Sequence, residues 1–535
     1  MHKIELSVSK KFPKVFDYTS VDCLITESAD FEKVYAARLW MNAEIKVQLA
    51  KKIAAKKADD EAKKSGQEKK SIGKTADTPK PNHLRTPSFE NLKLYFSQGG
   101  ESIAFALPKE SFSTFELFTA MRKAFSGFFG EGAKHKIVLD LSSIGAKRES
   151  LVLQIVEAFG HISESCDWKP MGFGKKAEAK TKFKDLHIEI VSGLNKVKIE
   201  KAFQLGRVKG RATNHVRTLA EMPPNELDPA GYRKHIEKFC KNHKFKYEFF
   251  NKEKLTQMGA NAFLAVVRAD PNTQGGIAKI SYKPIGKTTA KSKGLVALVG
   301  KGLCFDTGGY NVKTGDFMHG MHGDMTGSAV VLACMQAIEE LAMPFEVTGY
   351  LAIAENLISP TAFKPNEVIV ALNGSSIEMV DTDAEGRMVL SDTLTMASRE
   401  EPDLMIDYAT LTGSIIRALD RRRSGVYTNS EKHLPLLQAA GDVSGERVWG
   451  FTIGRDYFDN LKSEHADIKQ CNPKWNADHI YAATFLSTFV EKNVPWFHVD
   501  LAASEHSGGL GLVGSDSTGY GVGLTLEFLN RFFKN

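Results

Sequence analysis

A chain of 535 residues that is 42% hydrophobic and 10% aromatic can bury large cores and is expected to form two domains. Its net charge of +7 is modest, and the N-terminal Met1-His2-Lys3-Ile4-Glu5 has no apolar signal core. No run approaches the roughly eighteen apolar residues of a membrane span, so neither secretion nor membrane insertion is expected. Cys23, Cys166, Cys240, Cys304, Cys334 and Cys471 are scattered, with no Cys-x-x-Cys, the pattern of reduced thiols in a cytoplasmic protein.

In chain order, residues 1–195 alternate short apolar strands at 23–25, 103–106 and 137–139 with helical stretches at 112–129 and 149–163. This predicts a smaller N-terminal α/β domain without clustered catalytic residues. The stretch 46–80 interrupts it. Lysine pairs from Lys51-Lys52 to Lys69-Lys70 alternate there with Asp59, Asp60, Glu61 and Glu68, followed by a loop-like segment. The first half is expected to extend a helix and the second to be a mobile linker. Such a basic segment could meet nucleic acid, but no aromatic residues interleave with the lysines, and a solvated insertion is the better reading. Residues 196–220, rich in helix formers, predict a connecting helix. From 221 to 535, strands at 295–299, 345–353, 367–371, 404–406 and 496–499 alternate with helices, which predicts a larger C-terminal α/β domain with a mixed central sheet covered on both faces. There is no internal repeat.

Two segments of the larger domain carry chemistry. The buried strand at 295–299 runs into Gly300-Lys301-Gly302-Leu303-Cys304-Phe305-Asp306-Thr307-Gly308-Gly309, whose glycines would let backbone approach a ligand closely. Lys313 follows, and then Asp324 at the mouth of a helix over 328–342. The Gly-Lys-Ser/Thr ending of a phosphate loop is absent. The second segment, Val380-Asp381-Thr382-Asp383-Ala384-Glu385-Gly386-Arg387-Met388, places two carboxylates and a guanidinium among apolar neighbours. As the end of a buried strand it would point Asp383 and Glu385 the same way, and carboxylates so close need protons, cations or metal between them.

Together, Lys301, Asp306, Lys313, Asp324, Asp383, Glu385 and Arg387 resemble the active site of the leucyl (cytosol) aminopeptidase family, a group of di-metal exopeptidases. Further matches run from Leu219 to Asn225, through Ala354-Glu355-Asn356 and Ala409-Thr410-Leu411-Thr412-Gly413, to Thr518-Gly519-Tyr520-Gly521. The resemblance implies that Lys301, Asp306, Asp324 and Glu385 hold one metal, and that Asp306, Asp383 and Glu385 hold the other. Oxygen ligands in this number suit two divalent ions, zinc first, with manganese, cobalt or magnesium open at one site. Lys301 would have to bind as the neutral amine.

On this reading an activated water attacks the first peptide bond of peptides with a free N-terminus. Lys313 stabilises the oxyanion, and Arg387 holds a bicarbonate that carries the proton, with backbone near Leu411 helping to position it. Met321, Thr410, Gly413 and His479 would line the pocket for the first side chain, unless His479 packs instead beside Trp475 and Tyr481. A homohexamer is also implied. The chain departs from the family pattern at Asp381 for Asn, His319 for Asp, Thr326 for Gly, and Asp478-His479 for a glycine and a small residue. The alternative is a family member with weak or lost catalysis that binds nucleic acid or builds a structural assembly.

Overall fold

The structure is a computed structural model that describes residues 3–9, 20–27, 102–107, 113–125, 133–141, 148–176, 183–270, 274–284, 293–472, 474 and 476–534. The lysine-rich stretch 46–80, both ends of the expected helix 112–129, and Trp475 lie outside them. The chain partitions into one unit of Met1–Phe112, Gly127–Gln154 and Thr181–Glu200, and a second of Ser113–Ser126, Ile155–Lys180 and Lys201–Asn535.

The first unit is built on five strands in the order Lys3–Ser9, Phe183–Val191, Ala133–Asp140, Ser20–Glu27 and Ser102–Leu107, every pair parallel. Along Phe183–Val191, Leu186, Ile188 and Ile190 are buried while His187 and Glu189 are half-buried, the period of two that lets one strand face carry the core.

The second unit carries a mixed sheet of eight strands. Their order is Val448–Gly450, Ser424–Thr428, Trp496–Asp500, Leu404–Ala409, Leu295–Asp306, Glu346–Asn356, Gly276–Tyr282 and Lys246–Phe250. The four central strands from Trp496–Asp500 to Glu346–Asn356 run parallel, and their outer neighbours pair antiparallel to them. Alternation along Leu295–Asp306 explains its continuous apolar run. Val296 and Leu298 enter one core with Val330 and Leu332 of the helix Thr326–Glu340, whereas Ala297 and Val299 enter another with Met388 and Leu394 of the helix Glu385–Ser398. Both faces are covered, so both must be apolar.

Two expectations need correction. The strand expected at 295–299 continues to Asp306, paired with Glu346–Asn356 as far as Asp306 and Asn356. Gly300 serves packing there rather than a ligand: a Cβ on it would stand 2.5 Å from the Cα of Ser328, and one on Gly327 would stand 2.1 Å from the Tyr408 carbonyl oxygen. Glycine at both positions lets the helix Thr326–Glu340 lie against the sheet. The second correction concerns 380–388. The strand there is only Ser376–Glu378; a 3-10 turn Thr382–Ala384 follows, and Glu385 opens a helix. Asp381 ends the strand by accepting the Asp383 backbone N–H at 2.7 Å, an Asx-type bond that competes with sheet pairing.

Candidate active site

The central strands deliver their carboxyl ends to one place, as open α/β sheets do at ligand sites. Lys301 and Asp306 come from Leu295–Asp306, Asn356 ends Glu346–Asn356, Thr410 follows Leu404–Ala409, and Asp500 ends Trp496–Asp500. The short 3-10 helix Met321–Met325 adds Asp324, and the turn beyond Ser376–Glu378 adds Asp383 and Glu385.

Asp306, Asp324 and Glu385 are buried, and each offers an oxygen within 4.8 Å of the others, a grouping able to hold a metal ion. Lys301 is 3% exposed. Its Nζ donates to Asp324 Oδ1 at 2.9 Å and to the Thr410 carbonyl at 3.1 Å, and lies 3.2 Å from Glu385 Oε1. Lys313 Nζ stands between Asp306 Oδ2 at 2.8 Å and Asp383 Oδ1 at 2.6 Å, which ties Asp383 to the triad. A Cβ on Gly386 would fall 2.5 Å from Lys301 Cε and 2.9 Å from Leu411 Cδ1, so glycine is what lets the lysine stem cross the start of the helix Glu385–Ser398.

Four carboxylates thus face two ammonium groups. Burial, and then the charge of Asp306, raises Glu385 well above its ordinary value, with Lys301 opposing. Burial followed by Asp306 pushes Asp383 up to about 6 against the pull of Lys313, and Asp324 is raised by burial despite Lys301. Burial alone would lower both lysines, but the carboxylates outweigh it, and Lys301 and Lys313 are raised. The protein's own groups therefore keep both lysines charged, while burial and mutual repulsion press the carboxylates to take up protons unless a further cation joins them. Asp324 Oδ2 stands 2.8 Å from Lys301 Nζ outside hydrogen-bond geometry and has no other partner.

Arg387 leaves this cluster. Its Nη2 donates to both carboxylate oxygens of Asp478, at 2.9 and 2.8 Å, and its Nη1 donates to the Gln470 carbonyl at 3.1 Å. Of the expected pocket residues, Thr410 touches the cluster, since its Oγ1 donates to Asp324 Oδ1 at 2.7 Å, and Leu411 borders Gly386. Met321 opens the turn that bears Asp324, and Gly413 is exposed. His479 is buried. Its Nδ1 lies 2.9 Å from Ser414 Oγ, next to Gly413, and its ring meets Phe451 edge-on at 5.1 Å.

Two amides matter here that were not among the expected site residues. Asn356 Nδ2 lies within reach of Asp306 Oδ1 at 2.9 Å, the Thr382 carbonyl at 3.0 Å and Glu385 Oε2 at 3.3 Å. Gln470 Oε1 accepts from the backbone N–H groups of Val380 and Asp381, each at 3.1 Å, while its Nε2 donates to the Ala384 carbonyl at 3.0 Å. Asn356 sits in the matched Ala354-Glu355-Asn356 and could have been read from that; nothing in the sequence marks Gln470.

Residues 214–526 match the catalytic domain of the cytosol aminopeptidase family. The chain belongs to that family. Among its relatives, a probable cytosol aminopeptidase of Sulfurihydrogenibium sp. (strain YO3AOP1) is 35% identical over 334 residues, 62% of this chain and 65% of that protein. The probable cytosol aminopeptidase of Chlorobaculum tepidum is 35% identical over 332 residues, again 62% of this chain and 65% of that protein. The chain therefore matches just under two thirds of the length of these relatives. The bottromycin maturation enzyme BotP in complex with Mn shares the fold at a TM-score of 0.73, with 23% identity, over 97% of this chain and 100% of that one. Every residue of the carboxylate and lysine cluster falls inside the family match. No helix among the described residues is long and apolar enough to cross a membrane. Cys240, Cys304, Cys334 and Cys471 are buried free thiols.

Proposed function

We propose that this protein is a metal-dependent aminopeptidase that hydrolyses the first peptide bond of peptides with a free N-terminus. The observation that carries the reading is the buried triad Asp306, Asp324 and Glu385 at the carboxyl ends of the central strands, within the stretch matched to the family. The donor set fits divalent cations: oxygen-rich, buried, and with four carboxyl groups to two lysines. Lys301, Asp306, Asp324 and Glu385 would hold one ion, and Asp306, Asp383 and Glu385 a second, with zinc the first choice and manganese, cobalt or magnesium open at one site. Bound there, such ions would supply Lewis-acid charge and an activated water.

The chain's own groups do the rest. Lys301 would give up its proton to serve as a ligand, which only a cation competing for the same carboxylates makes favourable. Lys313, anchored by Asp306 and Asp383, keeps its ammonium at the edge of the cluster and would meet the negative charge that develops on the carbonyl oxygen. The excess of carboxylates favours a substrate amine over an acylated terminus. Thr410 and Leu411 form the wall nearest the triad, and the Asp500 carboxylate holds that wall by accepting from the Leu411 N–H at 3.1 Å and the Thr412 hydroxyl at 2.7 Å. Met321, Gly413 and His479 would extend it toward the first side chain. A catalytic domain over 221–535, a cytoplasmic homohexamer, and an insertion at 46–80 without a nucleic-acid role complete the proposal.

The test is release of amino acids from unblocked and N-acetylated dipeptides, with and without added Mn²⁺, Co²⁺ or Zn²⁺. Metal-stimulated release from the unblocked series alone is expected. No release under any metal would turn the reading toward a relative that has lost catalysis.

A further inference from the structure

The resemblance gives Arg387 an external oxyanion, but the residues around it do not fit one. Arg387 is 2% exposed, and the carboxylate that meets its guanidinium belongs to the chain. Both oxygens of Asp478 accept from Nη2, and Nη1 is taken by the Gln470 carbonyl. Three of its five N–H groups are thus used by the chain itself, Nε is buried without a hydrogen-bond partner, and Nη1 keeps one further N–H. An oxyanion placed there would share one guanidinium with several negative neighbours. Asp381 interacts electrostatically with both Arg387 and Asp478, and Arg387 also feels Glu385. Two carboxylates that the family pattern lacks, Asp381 and Asp478, are thus the ones gathered around this guanidinium. The backbone is shaped for the contact: Ala477 takes a left-handed φ of 51°, an uncommon conformation for alanine, immediately before Asp478 enters the helix Asp478–Ser487.

We infer that Asp478 is a built-in counter-anion for Arg387, so that this protein neither binds nor needs bicarbonate at that position. In electrostatic terms the side chain replaces a diffusible anion with a tethered one. No entropy is then spent on capturing a ligand, and a second anion is disfavoured by like charge. Asp478 is a positioning residue in this scheme. It fixes the guanidinium two residues after Glu385, at the first turn of the helix that carries that carboxylate. The inference rests on the aminopeptidase reading for the meaning of the site, but its readout uses no peptide, so either can fail alone.

The test measures uptake of radiolabelled bicarbonate by the full chain in equilibrium dialysis, both metal-stripped and metal-loaded, with Arg387→Ala as the control for binding elsewhere. Wild type is expected to show no uptake that depends on Arg387. Asp478→Gly should lower Tm, take up one bicarbonate per chain, and recover a few degrees of Tm when bicarbonate or formate is added. Saturable uptake by wild type that Arg387→Ala abolishes would overturn the inference, as would a folded Asp478→Gly with no uptake. If the glycine variant does not fold, Asp478→Asn, of nearly the same shape but neutral, takes its place, and the wild-type measurement decides by itself.

Discussion

Two clusters of buried charge lie two residues apart in the chain, and they are built on opposite rules. Around Arg387 the directly paired charges match: one guanidinium, one carboxylate held by both oxygens, and a backbone carbonyl, with Asp381 acting only electrostatically. Around Lys301 and Lys313 they do not, because Asp306, Asp324, Asp383 and Glu385 outnumber the two lysines. A matched pair needs nothing further and acts as a clamp. An unmatched set of carboxylates, raised by burial, is stable when a further positive charge joins it. The same ingredients therefore give a fixed joint in one place and a binding site in the other, and the ratio of signs decides which.

That contrast can be broken experimentally. The largest effect is expected from Glu385→Gln, which removes a carboxylate from the unmatched set: bound metal, counted by atomic absorption, and peptidase turnover should both collapse. Asp381→Asn, which keeps the acceptor for the Asp383 N–H, should alter both far less. Comparable losses in folded proteins would show that the ligands are misassigned. In the matched cluster the loss should appear in stability. Asp478→Ala strands a buried guanidinium and should cost about 3–5 kcal/mol in denaturant unfolding, whereas the double variant Arg387→Met/Asp478→Leu should come close to wild type. A single variant as stable as wild type would mean that the pair is not tightly coupled.

Lys313→Ala sharpens the comparison within the unmatched set. If this lysine meets developing charge and is not a ligand, metal content should hold while kcat falls by roughly 10²–10³-fold. Loss of metal would exchange its role with that of Lys301. The smallest effect is expected at His479. Its imidazole is tied to Ser414 and packed on Phe451, and it makes no hydrogen bond to the carboxylates of the triad. His479→Ala should raise kcat/KM for leucyl over alanyl peptides by about tenfold, the scale of small changes in an apolar pocket. An unchanged leucine to alanine ratio would place the ring outside the substrate's reach.

What the sequence made legible follows the same division. Carboxylates and lysines in apolar segments stand out, so Asp306, Asp324, Asp383, Glu385, Lys301 and Lys313 were readable, and the covered mixed sheet followed from runs such as Leu295 to Val299. The length of that strand was not, because Gly300 and Gly302 read as places for close approach to a ligand until the helix packed against them is in view. The strands Gly276–Tyr282 and Lys246–Phe250 were also missed, as was the helical geometry of Glu385, which Asp381 brings about through a bond that alternation cannot show. Asp478 was visible only as a departure; its partner, 91 positions upstream, gives the departure a meaning.

Gln470 has a consequence of another kind. Its amide spans the loop that presents Asp383 and Glu385, with its acceptor toward Val380 and Asp381 and its donor toward Ala384, across separations of 86 to 90 residues. Contacts so distant in sequence are costly to close and tend to form late. A chain emerging from the ribosome would thus expose all four carboxylates well before the residue that shapes their loop has been made. Ion capture at the finished geometry would then belong to the last stage of maturation, after the catalytic unit has closed on itself.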